Sequence, residues 1–218
     1  MELLSIGILA SGRGSNFQSI IDSIESGYLK AEIVLLITDN PNAYAIERAR
    51  KHGIETLVLV PKQYGSRNEY YRTVARELKV REVGLVILAG FMRIVEKALI
   101  DAFRYRMMNI HPALLPSFPG LHGQGQAVDY GVKISGCTVH FVDEGMDTGP
   151  VIIQAAVPAV FEDTEDTLSE RILKLEHMIF PLAIRLFAEN RLEVIGRKVK
   201  IHGLATDDRF FISPPIPE

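Results

Sequence analysis

The sequence contains little cysteine, no long apolar run and no excess of basic charge. Its 218 residues include a single cysteine, Cys137, which excludes an internal disulfide framework and a cysteine-rich zinc site. No apolar run approaches the roughly 18–20 residues of a membrane-spanning helix, so no membrane partner is expected. The 24 basic and 27 acidic residues give a formal net charge of −3, which argues against non-specific binding to nucleic acid.

The apolar N-terminal segment, residues 3–10, fits a buried strand better than a secretion signal. It is short, and Glu2 stands where a signal peptide has basic residues, so we expect a cytoplasmic protein. An apolar fraction of 47% suits a globular chain, whose length allows one large domain or two small ones. Because the motifs are spread along the chain, we expect one domain over residues 1–201 and a mobile, proline-rich tail over residues 202–218.

The first half of the chain alternates short apolar runs with amphipathic stretches. Four of the runs read as strands, at residues 5–10, 33–37, 56–60 and 84–89. Helical patterns separate them, and Ser15 or Asn16 is the expected N-cap of the first helix. Continuous apolar strands joined by helices are typical of a parallel sheet that is covered on both faces.

The second half predicts an antiparallel addition to this sheet. The expected elements are a helix at about 94–103, a short strand at 107–110, strands at 136–143 and 151–157, a helix at 164–190 and a last strand at 192–201. A tight turn joins the two middle strands, which favours an antiparallel pair. The predicted fold class is therefore α/β, with an open, mostly parallel twisted sheet, helices on both faces and an antiparallel C-terminal part.

A glycine-rich turn, residues 11–16, follows the first strand and precedes the first helix. Glycines there let a ligand approach the backbone, and a helix N-terminus presents free N–H groups that suit a phosphate. The turn is not a P-loop, since no Gly-Lys-Ser/Thr follows, and Phe17 replaces the third glycine of a dinucleotide-binding turn. A tight strand–helix turn without a ligand is the alternative interpretation.

Asn109 and His111 alternate along the strand at 107–110 and face the same side at its carboxyl end. Ligands bind at this end of open α/β sheets, and an amide donor beside a histidine can stabilise an oxyanion. A partly buried histidine without a catalytic role is the alternative interpretation.

The loop at residues 143–150 supplies three carboxylates, one of which could orient His111. An ordinary hairpin turn is the main alternative, and the spacing lacks the pattern of a calcium loop. His122, His140 and His177 give weaker signals, and no histidine set has the spacing of a zinc site. No Gly-x-Ser-x-Gly motif for a serine nucleophile is present.

Four segments, in this order, resemble the phosphoribosylglycinamide formyltransferases (GAR transformylases), a family of folate-dependent enzymes. They are residues 11–16, 89–94, 109–116 and 140–150, and the resemblance runs from about Ile6 to Leu192. It implies a Rossmann-like formyltransferase fold. It also implies transfer of a formyl group from 10-formyltetrahydrofolate to the amine of N1-(5-phospho-D-ribosyl)glycinamide, in de novo purine (IMP) biosynthesis, without a metal.

The same resemblance implies a role for individual residues. The catalytic residues would be Asn109, His111 and Asp147. Gly14, Ser15 and Asn16 would bind the phosphate of the glycinamide ribotide, and Glu176 would contact the amine-bearing side of the same substrate. The folate pocket would be formed by Arg67, Met92, Arg93, Ile94, Val95, Asn109, Asp143, Glu144, Gly145, Met146 and Asp147. The amine would attack the formyl carbon directly, and Asn109 with protonated His111 would stabilise the tetrahedral oxyanion.

Other classes fit the sequence less well. Methionyl-tRNA formyltransferases normally add a C-terminal nucleic-acid-binding domain, and formyltetrahydrofolate hydrolases an N-terminal regulatory domain; we expect neither here. An NAD-type nucleotide-binding module is the alternative from another class, with Asp39 as the ribose-binding acid. Residues 122–127 depart from the family's usual polar stretch and contain two glycines, which indicates a flexible loop. The expected partners are the two small molecules, and the oligomeric state stays open, with a homodimer as one option.

Overall fold

The computed structural model describes residues 3–204 and 213 of the chain. Its strands are β1 (Leu4–Leu9), β2 (Ala31–Thr38), β3 (Thr56–Val58), β4 (Leu85–Leu88), β5 (Met107–His111), β6 (Ile134–Phe141), β7 (Val151–Pro158), β8 (Leu192–Ile195) and β9 (Lys198–Ile201). Its helices are α1 (Ser15–Glu25), α2 (Ala45–Lys51), α3 (Arg67–Val80), α4 (Lys97–Ala102), α5 (Gly123–Tyr130) and α6 (Glu165–Ala188), with a short 3-10 turn at Pro61–Gln63. The prediction about residues 202–218 lies mostly outside the described residues.

The strands form one nine-stranded sheet in the order β3-β2-β1-β4-β5-β6-β7-β9-β8. The neighbours from β3 to β5 are parallel, whereas β6 is antiparallel to both β5 and β7. The predicted fold class, a mostly parallel sheet with an antiparallel C-terminal part, is confirmed.

Alternating side chains of the central strands feed two cores, one on each face of the sheet. Ile6 and Ile8 of β1 pack with α1 and α6, while Leu9 packs with α3 and α4 on the other face. Each of these side chains is fully buried, and such burial stabilises the fold by about 1.5–3 kcal/mol per residue. This two-sided burial is the physical reason why the strands read as continuous apolar runs rather than as alternating ones.

Four local predictions were wrong in detail. Residues 122–127, which the two glycines led us to expect as a flexible loop, begin helix α5, because Ala127 is buried in the core and holds this segment against the sheet. Gly14, with φ 67°, stands at the N-cap of α1, and neither Ser15 nor Asn16 caps the helix with its side chain. Helix α4 begins at Lys97, three residues later than the apolar pattern predicts. The last strand is a hairpin of β8 and β9, because Gly196 adopts φ 61° and reverses the chain between them.

The carboxyl ends of β1, β4 and β5 lie next to each other, and the order of the strands reverses between β1 and β4. The chain segments that leave this edge are joined directly, since the Ser11 N–H donates to the Gly90 carbonyl at 3.1 Å and the Met92 N–H donates to Ser11 Oγ at 3.0 Å. Such a switch point forms a crevice in open α/β sheets. In the described part of the chain, no helix is long and apolar enough to cross a membrane.

Candidate active site

The glycine-rich turn ends at the N-terminus of α1, as the sequence predicts. The Gln18 N–H donates to the Gly14 carbonyl at 3.0 Å, so the preceding N–H groups of the first turn have no partner within the helix. Asn16 Nδ2 donates to Glu176 Oε2 at 2.7 Å, which joins this turn to α6. Burial raises the pKa of Glu176, and the Asn16 hydrogen bond partly offsets that effect. The amide oxygen of the same side chain, Asn16 Oδ1, is buried and has no hydrogen-bond partner among the described residues.

Asn109, His111 and Asp147 come together at the end of β5. His111 Nδ1 lies 3.4 Å from Asp147 Oδ2, and Asn109 Nδ2 lies 3.5 Å from Asp147 Oδ1. Both side chains of the His–Asp pair are largely excluded from solvent, with 4% and 14% of their area exposed. Asp147 itself adopts φ 54°, an unusual backbone conformation that turns its carboxylate back towards the strand.

The proline-rich loop after β5 closes over His111. The Phe118 carbonyl accepts from His111 Nε2 at 2.8 Å, and the Gly120 N–H donates to Asp147 Oδ2 at 2.8 Å. Both ring nitrogens of His111 therefore face oxygen atoms of the protein. Gly123 packs closely against this loop. A Cβ at this position would lie 3.2 Å from the Phe118 carbonyl oxygen and 3.4 Å from His111 Nε2.

His140 belongs to the same group, although its position in the sequence was only a weak indication of a functional role. It is buried on β6 directly opposite Asn109, in the antiparallel register of β5 and β6. Its Nδ1–H donates to the Phe141 carbonyl at 2.9 Å, and burial lowers its pKa, so its Nε2 is free to accept from Asn109 Nδ2 at 3.2 Å. His140 also lies 3.7 Å from Asp147. This contact follows from the register of β5 and β6, and it cannot be predicted from the alternation of side chains along one strand.

The arginines predicted for the folate pocket are both engaged by carboxylates. Arg93 pairs with the buried side chain of Asp39, and Arg67 Nε lies 2.9 Å from Glu96 Oε1. Arg67 also donates to the Ile94 carbonyl at 3.1 Å, which fixes the segment after β4. Within the rest of that segment, Met92 and Ile94 expose their side chains, whereas Val95 is buried in the core beside α3 and α4.

The loop at 143–147 is held from two sides. Asp143 Oδ1 accepts from the Gly145 N–H at 3.1 Å and from Thr148 Oγ1 at 2.6 Å, which closes the turn. Glu144 reaches Lys97 of α4 at 3.1 Å. Met146 is exposed at the tip, and Asp147 points inward. Met146 is thus exposed to solvent, whereas the Asp147 carboxylate lies next to His111 and His140.

A cavity of about 180 Å³ reaches Asp147 beneath this loop. Its lining residues are Leu115, Pro116, Pro119, Met146, Asp147, Thr148, Gly149, Val151 and Arg197. A second cavity, of about 390 Å³, lies behind Phe118 and is lined mainly by apolar side chains. Across residues 3–204 and 213, no group of three or more His, Cys, Asp or Glu side chains is arranged to hold a metal ion.

The chain is similar to named proteins over most of its length. A family model described as formyl transferase matches residues 4–184. The phosphoribosylglycinamide formyltransferase of Escherichia coli (strain K12) is 39% identical over 212 residues, which cover 94% of this chain and 100% of that protein. The trifunctional purine biosynthetic protein adenosine-3 of Drosophila melanogaster is 46% identical over 183 residues, 83% of this chain, which span only 14% of that longer protein.

A solved structure shows the same architecture. The glycinamide ribonucleotide transformylase 1 from Symbiobacterium toebii matches with a TM-score of 0.90 and 48% identity, over 91% of this chain and 94% of that chain.

Proposed function

The chain belongs to the formyl transferase family, and we propose that it transfers the formyl group of 10-formyltetrahydrofolate to the amine of N1-(5-phospho-D-ribosyl)glycinamide. The products are the N-formyl ribotide and tetrahydrofolate, in de novo purine biosynthesis. The observation that carries this proposal is the largely buried group of Asn109, His111 and Asp147 at the end of β5. It lies two strands from β1, after which the glycine-rich turn presents free N–H groups at the start of α1.

The spacing of the two features suits this substrate. The carboxyl ends of β1 and β5 are separated by β4, so the turn and the catalytic group are about 10 Å apart at the usual strand spacing. A phosphoribosyl group that carries a glycinamide arm spans a comparable distance. We assign the phosphate to the N–H groups of Gly14, Ser15 and Asn16, and a contact with the body of the substrate to Glu176.

The reaction needs no covalent enzyme intermediate. The amine nitrogen forms a bond to the formyl carbon, and the carbonyl oxygen becomes an oxyanion. When this intermediate collapses, the bond from carbon to N10 of the folate breaks, and the proton lost by the amine reaches N10 through His111 or a held water. The Asn109 amide and His111 stabilise the oxyanion, and Asp147 stabilises the charged imidazole. Because the two ring nitrogens of His111 face Asp147 and the Phe118 carbonyl, His111 donates to the oxyanion after one of these contacts is exchanged.

The Asn109 amide must exchange one of its present contacts to act in this way. One N–H donates to His140 at 3.2 Å, and the other faces Asp147 at the longer distance of 3.5 Å. We assign the second N–H to the oxyanion, because its present hydrogen bond is the weaker one. The folate would then lie between the segment at 92–95, with Arg67, and the loop at 143–147.

The NAD-type alternative is disfavoured by the state of Asp39. A ribose-binding acid in such a module accepts hydrogen bonds from the nucleotide. Here the Asp39 side chain is only 8% exposed and is paired with Arg93. Its Oδ2 is therefore engaged by Arg93, and its Oδ1 is buried away from solvent, so neither oxygen is open to a nucleotide.

A turnover assay tests the proposed function. The purified chain is mixed with both substrates, and the conversion of the folate is followed by absorbance. Formation of the N-formyl ribotide, unchanged after EDTA treatment, is the expected result; no turnover together with binding of NAD would refute the proposal. We further propose that residues 1–201 form one formyltransferase domain and that the reaction occurs in the cytoplasm.

A further inference from the structure

The carbonyl groups of the glycine-rich turn are held by the segment that follows β2. The Ser11 carbonyl accepts from Asn40 Nδ2 at 3.1 Å, and the Gly12 carbonyl accepts from the Ala45 N–H at 3.1 Å. The Arg13 carbonyl accepts from Arg48 Nε at 2.9 Å. Three consecutive carbonyls thus point towards the same side of the turn.

This arrangement fixes where the N–H groups of the turn point. In a trans peptide the C=O of one residue and the N–H of the next are directed oppositely. Holding the carbonyls of residues 11–13 on the side of α2 therefore directs the N–H groups of residues 12–14 away from α2. They add to the unpaired N–H groups of the first turn of α1, and together these donors can converge on one anion.

Arg48 joins the glycine-rich turn to α1 through its guanidinium group. Besides Arg13, its guanidinium contacts Gln18 of α1, with Nη1 at 2.8 Å from Oε1. Its Cζ also lies 5.1 Å from the centre of the Tyr44 ring. The guanidinium is thus committed to three protein groups, so it acts on the turn rather than on a ligand directly.

Gly14 allows this close approach. A Cβ at this position would lie 3.0 Å from the Ala45 side chain and 3.6 Å from Arg48 Cδ, and its φ of 67° disfavours other residues. The absence of a side chain therefore lets α2 pack against the turn, which places Arg48 within reach of the Arg13 carbonyl.

We propose that Arg48 is a positioning residue for the phosphate-binding turn: its planar guanidinium, assisted by Asn40, fixes the carbonyls of residues 11–13 so that the N–H groups of residues 12–14 face the substrate phosphate. This inference deepens the proposed function and rests on it, because that function supplies the phosphate. A lysine cannot replace the arginine fully, since one ammonium lacks the two fixed donors that span Arg13 and Gln18.

The test compares Arg48→Met and Arg48→Lys with Arg50→Met. Arg50 lies on the same helix, but it is exposed and, among residues 3–204 and 213, pairs only with Glu47, so it controls for a general loss of positive charge. We expect both Arg48 variants to raise KM for the glycinamide ribotide by about tenfold, with kcat and the KM for the folate nearly unchanged. Arg50→Met should match the wild type. An unchanged KM in Arg48→Met, or full activity in Arg48→Lys, would overturn the proposal.

A binding experiment separates this inference from the proposed function. Inorganic phosphate is titrated into ¹⁵N-labelled protein, and the Gly14 and Ser15 amide resonances are followed. We expect saturable shifts in the wild type and in Arg50→Met, and affinity about tenfold weaker in both Arg48 variants. If the wild type binds phosphate there but does not turn over, the proposed function fails and this inference stands; equal affinities in all variants would refute the inference alone. Should Arg48→Met not fold, the phosphate affinities of Arg48→Lys and Asn40→Ala test the proposal instead. We expect Asn40→Ala to weaken phosphate binding less than Arg48→Lys does, and wild-type affinity in both would refute the inference.

Discussion

Asp147→Asn is the substitution that probes the candidate catalytic group most directly. It keeps the size of the side chain and one oxygen that can accept from the Gly120 N–H, which lies 2.8 Å from Oδ2. It removes the negative charge that faces His111. The effect on rate therefore reports on electrostatics rather than on a collapsed loop.

The magnitude follows from the geometry. With an effective dielectric constant of about 20, unit charges 3.4 Å apart attract each other by about 5 kcal/mol. In the proposed mechanism, this attraction stabilises the charged His111 that faces the oxyanion in the transition state. Since about 1.4 kcal/mol corresponds to a tenfold change in rate, we expect kcat to fall by about a thousandfold, with little change in folate affinity.

The assay follows folate conversion under saturating conditions, with folate affinity measured separately by fluorescence titration. Asp166→Asn is the matched control, because Asp166 is exposed in the first turn of α6, far along the chain from β5. It should retain the wild-type kcat. A kcat within about tenfold of the wild type for Asp147→Asn would show that its charge does not act on His111 in the transition state.

Three further substitutions test other contacts. His140→Ala removes the acceptor of Asn109 Nδ2, so we expect kcat to fall by about tenfold without a change in either KM, in steady-state assays. Burial raises the pKa of Glu176, so its contribution to stability is complete below 4.5 and is lost as the pH rises through the folded pKa. Glu176→Gln should therefore be the more stable protein at about pH 8, with its advantage shrinking towards pH 4.5 in urea titrations. Gly149→Ala would place a Cβ 1.7 Å from the Phe141 carbonyl oxygen and should lower the free energy of unfolding by about 3 kcal/mol, measured in urea.

Each of these has a contrary outcome. A wild-type kcat in His140→Ala would mean that the Asn109 amide is fixed by other contacts. Equal stabilities of wild type and Glu176→Gln at every pH would mean that burial does not affect this carboxyl. For Gly149→Ala, the control is Gly12→Ala, since a Cβ at Gly12 meets nothing within 4 Å; equal unfolding free energies for the two would contradict the predicted clash.

Local patterns accounted for much of the scaffold. The apolar runs predicted the parallel strands. Ser66 caps α3 by accepting from the Glu69 N–H at 3.1 Å, and the Ser-x-x-Glu spacing of residues 66–69 is a sequence signature of such a cap. The N-cap of α1 was mispredicted, because Asn16 turns away from its own helix to reach Glu176 on α6. A tertiary contact there overrides the local capping preference, and no window along the chain contains both residues.

The sequence by itself determined most of the succession of strands and helices along the chain, the glycine-rich turn before α1 and the shared face of Asn109 and His111, because each depends on backbone periods and on neighbours in the chain. Only the tertiary structure decided that His140 supports Asn109, that Asp39 occupies Arg93 and that Arg48 holds the turn. These contacts join residues of different elements, and they are set by the strand register and by the packing of helices on the sheet. Such geometry is fixed only when the two cores close and bury the polar groups that must then pair with each other.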